Sequence, residues 1–155
     1  MKRFAVFCVL ALTACATKYQ DMGMAGGVAA QQMTKDTYRI VSRGNGYTAP
    51  TVVQDYTMLK AAETTKRHGG THFIVVDASD ASRTDQLVLP GSATSTLIGN
   101  QVHTTYSPAT AHAIFKPGQD AYIRVVTVAA GATPPAGAVS ADEIISFVGP
   151  RVERG

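Results

Sequence analysis

Between residues 37 and 77 the hydrophobic period changes twice, and this limits the chain to folds that lay a helix across a sheet. Thr37-Tyr38-Arg39-Ile40-Val41-Ser42 is rich in β-formers and reads as a first strand, closed by the turn-forming Gly44-Asn45-Gly46. A helix follows: Val52, Tyr56, Leu59 and Ala62 or Glu63 fall on one stripe, while Gln54, Lys60 and Arg67 point elsewhere. Thr48, or Thr51 with Gln54 three residues on, is expected to cap its first amides, and Pro50 suits the first turn. Lys66, Arg67 and His68 complement the negative end of the helix dipole, and Gly69-Gly70 stops it. The apolar run Phe73-Ile74-Val75-Val76 then has strand length and predicts a central strand buried on both faces. Strand, helix and strand together read as a βαβ unit.

The remainder is less regular. Residues 78–110 are dominated by Asp, Ser, Thr and Gly, with short alternating pieces at Leu87-Val88-Leu89 and over residues 102–106. They predict a long excursion carrying one or two edge strands. Residues 111–115 and 122–129 predict a C-terminal hairpin around Lys116-Pro117-Gly118-Gln119, followed by the stiff connector Thr133-Pro134-Pro135. Ser140-Ala141-Asp142-Glu143 is a capping box that opens a last helix through Ile144, Ile145 and Val148, stopped by Gly149-Pro150. The expected fold is α+β: one small domain over residues 36–155, with a four- or five-stranded mixed sheet and two helices on one face.

Ahead of this domain, Met1, Lys2 and Arg3 make a short basic start, residues 4–12 an unbroken apolar run, and Leu12-Thr13-Ala14-Cys15 follows. Charge, apolar run and small residues in that order are a secretory signal peptide. Nine apolar residues are too few to cross a bilayer, which takes about 20. The Leu-Thr-Ala-Cys ending resembles the lipobox of bacterial lipoproteins, which implies cleavage between Ala14 and Cys15 and a membrane anchor on the Cys15 thiol. The competing reading is an ordinary signal peptide with a Cys by chance after its cleavage site. Ala16, not Asp, follows the Cys, which in such lipoproteins implies export to the outer membrane. Residues 1–14 are therefore expected to be removed. Residues 15–35 read as a lipidated N-terminus and flexible Gly-rich tether, spanning roughly 25 Å; a short helix over residues 28–33 is the alternative.

Processing changes the charge and cysteine arguments. The chain has 14 basic and 11 acidic side chains, and loss of Lys2 and Arg3 leaves 12 against 11, a net of +1. A near-neutral chain without a run of Lys and Arg argues against nucleic-acid binding through phosphate neutralisation. Cys8 leaves with the signal peptide, and acylation consumes Cys15, so no intramolecular disulfide can form. The 141 residues that remain are enough to hold a core without one.

Three pieces together resemble a family of small proteobacterial envelope lipoproteins of unknown function. They are Tyr38-Arg39 leading to Arg43-Gly44-Asn45-Gly46-Tyr47-Thr48, the helix with Asp55-Tyr56 and Ala61-Ala62-Glu63, and the stretch from Ile144 to Gly149-Pro150-Arg151. The resemblance spans most of residues 37–151, and Arg-Gly-Asn-Gly-Tyr-Thr is its most specific element. Where that family carries longer charged side chains after the motif, this chain has Ala49-Pro50-Thr51. The family implies a lipid anchor and a small α+β domain, and it supplies no catalytic residues.

The candidate ligand or partner patch is Arg43, Gly44, Asn45, Gly46 and Tyr47. Two glycines permit close backbone approach, and amides beside a helix N-terminus could hold an anion with Arg43 supplying charge. No Lys-Ser or Lys-Thr follows as a phosphate loop requires. The structural alternative is a tight turn that aims the helix, with Asn45 or Gly46 at positive φ. His68 and His72 are four apart, but Gly69-Gly70 separates them and breaks the helical geometry that metal binding would use. His103 and His112 have no second ligand at a recognisable spacing. Asp77, Asp80 and Asp85 lack the calcium-loop pattern. No nucleophile elbow, free thiol or dinucleotide fingerprint is present, so no metal, cofactor or catalytic residue is assigned.

Two functions follow as expectations. The first is a non-catalytic outer-membrane lipoprotein, facing the periplasm and binding an envelope protein or peptidoglycan. The second is an envelope hydrolase or sensor whose site assembles from distant residues such as Arg43, Asp77 and a histidine.

Overall fold

The computed structural model describes residues 16–155; the expected signal peptide, residues 1–14, and Cys15 lie outside the described residues. Strands β1 (Gly27–Gln32), β2 (Thr37–Arg43), β3 (His72–Asp80), β8 (Gly118–Val126) and β9 (Ala138–Ser140) form a five-stranded sheet in the order β1-β2-β8-β3-β9. Helices α1 (Pro50–Arg67) and α2 (Ala141–Val148) complete an α+β fold, and a single 3-10 turn, Gly149–Arg151, ends α2. Strands β4 (Arg83–Leu89), β5 (Ser92–Ile98), β6 (Gln101–Ser107) and β7 (Thr110–Lys116) supply two further two-stranded sheets, β4-β7 and β5-β6. The described residues thus divide into two compact units, one of residues 16–83 and 116–155, the other Thr84–Phe115.

Every pairing in the five-stranded sheet is antiparallel, in place of the mixed sheet expected. β2 and β3 do run the same way with α1 between them, but β8 is inserted and pairs with both, so the βαβ unit is split. The expected C-terminal hairpin does not form for the same reason. Residues 118–126 take β2 and β3 as partners, and β7 pairs with β4.

Alternation along the strands gives the sheet two unlike faces. Tyr38, Ile40 and Ser42 of β2, with Ala121 and Ile123 of β8 and Phe73 of β3, are buried on the face that α1 covers. Thr57 Oγ1 on α1 donates to Ser42 Oγ at 2.8 Å, pinning helix to sheet. Arg39, Val41 and Arg43 alternate onto the opposite face, with Asp120, Tyr122 and Arg124.

The α1 start differs from expectation. Ala49 is the N-cap and makes no side-chain cap bond, Pro50 opens the helix, and Thr48 directs its hydroxyl elsewhere. Burial on α1 also reaches beyond one stripe, taking in Thr57, Lys60, Ala61, Thr64 and Thr65, because α1 is covered by more than the sheet. α2 packs along it, capped as its sequence predicts by Ser140 Oγ accepting from the Glu143 amide at 3.4 Å.

A further cover on α1 is the segment expected to be a tether. Residues 16–35 are part of the fold: β1 is a strand, and neither a coil nor a helix over residues 28–33. Thr17, Tyr19 and Val28 are buried. Tyr19 meets the Tyr56 ring edge-on at 5.5 Å between centroids, its hydroxyl donates to Glu63 Oε2 at 2.6 Å, and Lys60 pairs with Asp21 at 3.5 Å. The C-terminal tail closes over the same segment, the Tyr19 amide donating to Glu153 O and the Gly155 amide to Tyr19 O. Gly26 at φ +99° allows the reversal into β1; a Cβ there would meet Arg43 O at 2.4 Å.

β3 also departs from expectation. Phe73 is fully buried, but Val75 is 38% and Val76 61% exposed. β9 covers β3 only over residues 72–74, and a register shift between Val75 and Asp77 follows, so the apolar run is central in pairing and half-covered in packing.

Candidate functional site

The Arg43-to-Thr48 stretch joins β2 to α1, and its geometry is that of a clamp. Thr17 is 3% exposed and sits at its centre. The Thr17 amide donates to Thr48 Oγ1 at 2.9 Å, and the Asn45 amide donates to Thr17 Oγ1 at 3.0 Å. Tyr56 OH donates to Thr17 O at 2.7 Å, and Thr17 Oγ1 donates to Ala25 O at 2.7 Å. Thr48 Oγ1 donates to Asn45 Oδ1, which also accepts from the Tyr47 amide, each at 3.0 Å. Gly44 is required by close approach: its amide donates to Pro117 O at 2.8 Å, and a Cβ would meet Thr48 Cβ at 2.8 Å. Neither Asn45 nor Gly46 adopts positive φ, contrary to the tight-turn expectation.

These bonds decide the anion hypothesis for this stretch. The amides of Gly44, Asn45, Tyr47 and Thr48 all donate to protein oxygens, so they do not form a cradle. Arg43 is likewise engaged. Its Nη1 donates to Ser42 O at 2.8 Å, Gln119 O at 3.2 Å and Asp120 Oδ1 at 2.6 Å. Asp120 stands opposite Val41, between Arg39 and Arg43, and its second oxygen accepts from Arg39 Nη2. Burial works to raise the Asp120 pKa, but hydrogen bonds and charge from Arg43 and Arg39 outweigh it and hold the carboxyl below its ordinary range. Arg39 is raised in turn, first by its hydrogen bond to Asp120. Of the five patch residues, Tyr47 is the large side chain left open, at 77% exposure.

A shallow depression of about 150 Å³ lies beside the clamp, lined by Met22, Met24, Arg43, Asn45, Arg83 and Lys116 among others. A second, of about 390 Å³, is bordered by Lys35, Asp36, Tyr38 and His68, with the Tyr38 and His68 rings 4.6 Å apart. The residues of the hydrolase alternative are spread out. Along β8, Arg43 stands opposite Gly118, Asp77 opposite Tyr122 and His72 opposite Val126. Eight positions at about 3.3 Å each separate the first from the last. Among the described residues, no three His, Cys, Asp or Glu side chains group as a metal site, and no helix is long and apolar enough to cross a membrane.

Sequence reasoning missed both the Thr17 clamp and the Asp120 bridge. The bridge left a signal: Arg39 and Arg43 are four apart on a strand and so share one face, which demands a counter-charge on a neighbouring strand. Compared with known proteins, the chain matches no family model, no curated protein and no solved structure.

Proposed function

We propose that the protein is an outer-membrane lipoprotein, anchored through Cys15 and facing the periplasm, that works as a non-catalytic binding or structural module of the envelope. The observation carrying this reading is the burial of Thr17, two residues after the proposed acylation site, by four hydrogen bonds to the motif, α1 and Ala25. The most specific element of the family resemblance thereby acts mechanically, holding the chain next to its anchor. The amides of Gly44, Asn45, Tyr47 and Thr48 and the Arg43 guanidinium bond within the protein, leaving Tyr47 as the aromatic contact for an envelope protein or peptidoglycan. No cofactor is assigned, and the small net charge of the processed chain argues against nucleic acid.

The test is the mass of the N-terminal peptide from wild-type cells. A peptide beginning at Cys15 and carrying a diacylglycerol and an amide-linked acyl chain is expected. An unmodified peptide beginning at Ala16 or later would end the reading. Photocrosslinking from position 47 in intact cells then identifies what the module touches.

A further inference from the structure

We infer that the Thr84–Phe115 unit is an assembly element, through which copies of this chain pair edge to edge in a closed ring. From Gln86 to Phe115 there are thirty consecutive residues without a Lys, Arg, Asp or Glu. All fourteen residues of β5 and β6 are exposed. The two strands pair with each other over seven positions and, among the described residues, with no other strand, so each keeps one unpaired outer edge.

Such a ribbon is marginal alone in water, and soluble proteins guard an open edge with Lys, Pro or a bulge. β5 and β6 contain no charge and no proline. Their faces are also unequal. Ala93–Tyr106, Ser95–Thr104 and Leu97–Val102 share one face, where the two central hydroxyls bond each other at 2.9 Å. Ser92–Ser107, Thr94–Thr105, Thr96–His103 and Ile98–Gln101 share the other. One side is therefore mainly apolar and the other mainly hydroxyl, amide and imidazole.

The occupant follows from the edges. An uncharged main-chain edge recognises another strand, and one foreign strand would cover only one of the two. In a head-to-tail ring of identical copies, β5 of one ribbon meets β6 of the next, both edges are covered at once, and antiparallel alternation continues around the ring. Closure removes the edges altogether and turns every apolar face to the same side, as a barrel does.

The experiment uses the full-length protein as processed by the cell, purified from membranes in detergent. Native mass spectrometry gives its stoichiometry, and hydrogen exchange reports on residues 92–107. We expect three or more copies per particle, with both β5 and β6 amides protected. Leu97 and Val102 are 70% and 67% exposed, so the L97K/V102K double variant disturbs no core. It is expected to be monomeric, with ribbon amides exchanging at least roughly 10-fold faster while α1 and β2 keep their protection. A wild-type monomer, with ribbon amides open or shielded by detergent alone, overturns the inference. So does an oligomer that survives the double substitution with its ribbon unprotected.

Discussion

Arg43 and Asp120 meet at 2.6 Å on the sheet face away from α1, joining the end of β2 to the start of β8. This contact fixes β8 beside β2, and the Pro117 carbonyl that precedes it is held by the Gly44 amide. An ion pair and a loop contact thus secure the strand that splits the βαβ unit.

Acid should weaken this joint. The Asp120 carboxyl titrates below its ordinary value when folded, so the unfolded chain binds a proton more readily. The stabilisation is therefore present above the ordinary carboxylate pKa of about 4 and is lost as pH falls through the lower folded value. Asp120→Asn should cost about 1–2 kcal/mol at pH 7, the two arginines being partly exposed, and should flatten the fall in melting temperature below pH 4. An unaltered pH profile would show that the bridge contributes nothing to stability.

Thr48→Val keeps the shape and removes the oxygen that accepts from Thr17 and Asn45. The expected cost is about 1–3 kcal/mol, because the buried Thr17 amide loses its acceptor, while the Asn45 amide keeps Thr17 Oγ1. Exchange should accelerate first in residues 17–21, ahead of Phe73 and Ile123. Uniform acceleration would mean that the clamp and the core open together.

Phe73 and Val75 should respond unequally, although their shared apolar run suggests equal burial. Phe73→Ala empties a fully buried site and should cost about 3–5 kcal/mol. Val75→Asp lies on the part-exposed stretch beyond β9 and should cost about 1 kcal/mol or less. Chemical denaturation of both variants checks the order.

Gly44→Ala drives a methyl into Thr48 and Pro117, the latter 3.0 Å from the added carbon. About 1–3 kcal/mol of destabilisation is expected from this overpacking. A variant with unchanged midpoint would show that the joint yields easily.

Both helices were legible because their signals are local. Gly69-Gly70, Ser140 with Glu143, and Gly149-Pro150 act within one turn of the residues they cap or stop. Strand partners were not legible in the same way. Lys116-Pro117-Gly118-Gln119 has the composition of a hairpin turn, yet β8 finds its neighbours at residues 37–43 and 72–80, a pairing set by Asp120 and by burial under α1. In sequence the run after Cys15 reads as unstructured because Gly and Ala carry little apolar surface. Its place comes from Tyr19, Thr17 and the glycine reversal, which act only once α1 exists to receive them. For the candidate site, the motif was legible as a turn. That its amides face inward depends on Thr17, some thirty residues earlier in the chain.

The burial of Thr17 also sets the leash. With Cys15 acylated as proposed, one residue, Ala16, separates the lipid from a residue locked into the fold. Two Cα steps reach about 7 Å, against roughly 25 Å for a free twenty-residue coil. The domain would then rest against the headgroups with a fixed underside, unable to pivot through the space above the bilayer. Its partners would have to share that plane or come down to it, and two such molecules would meet by sliding in two dimensions, already facing the same way up.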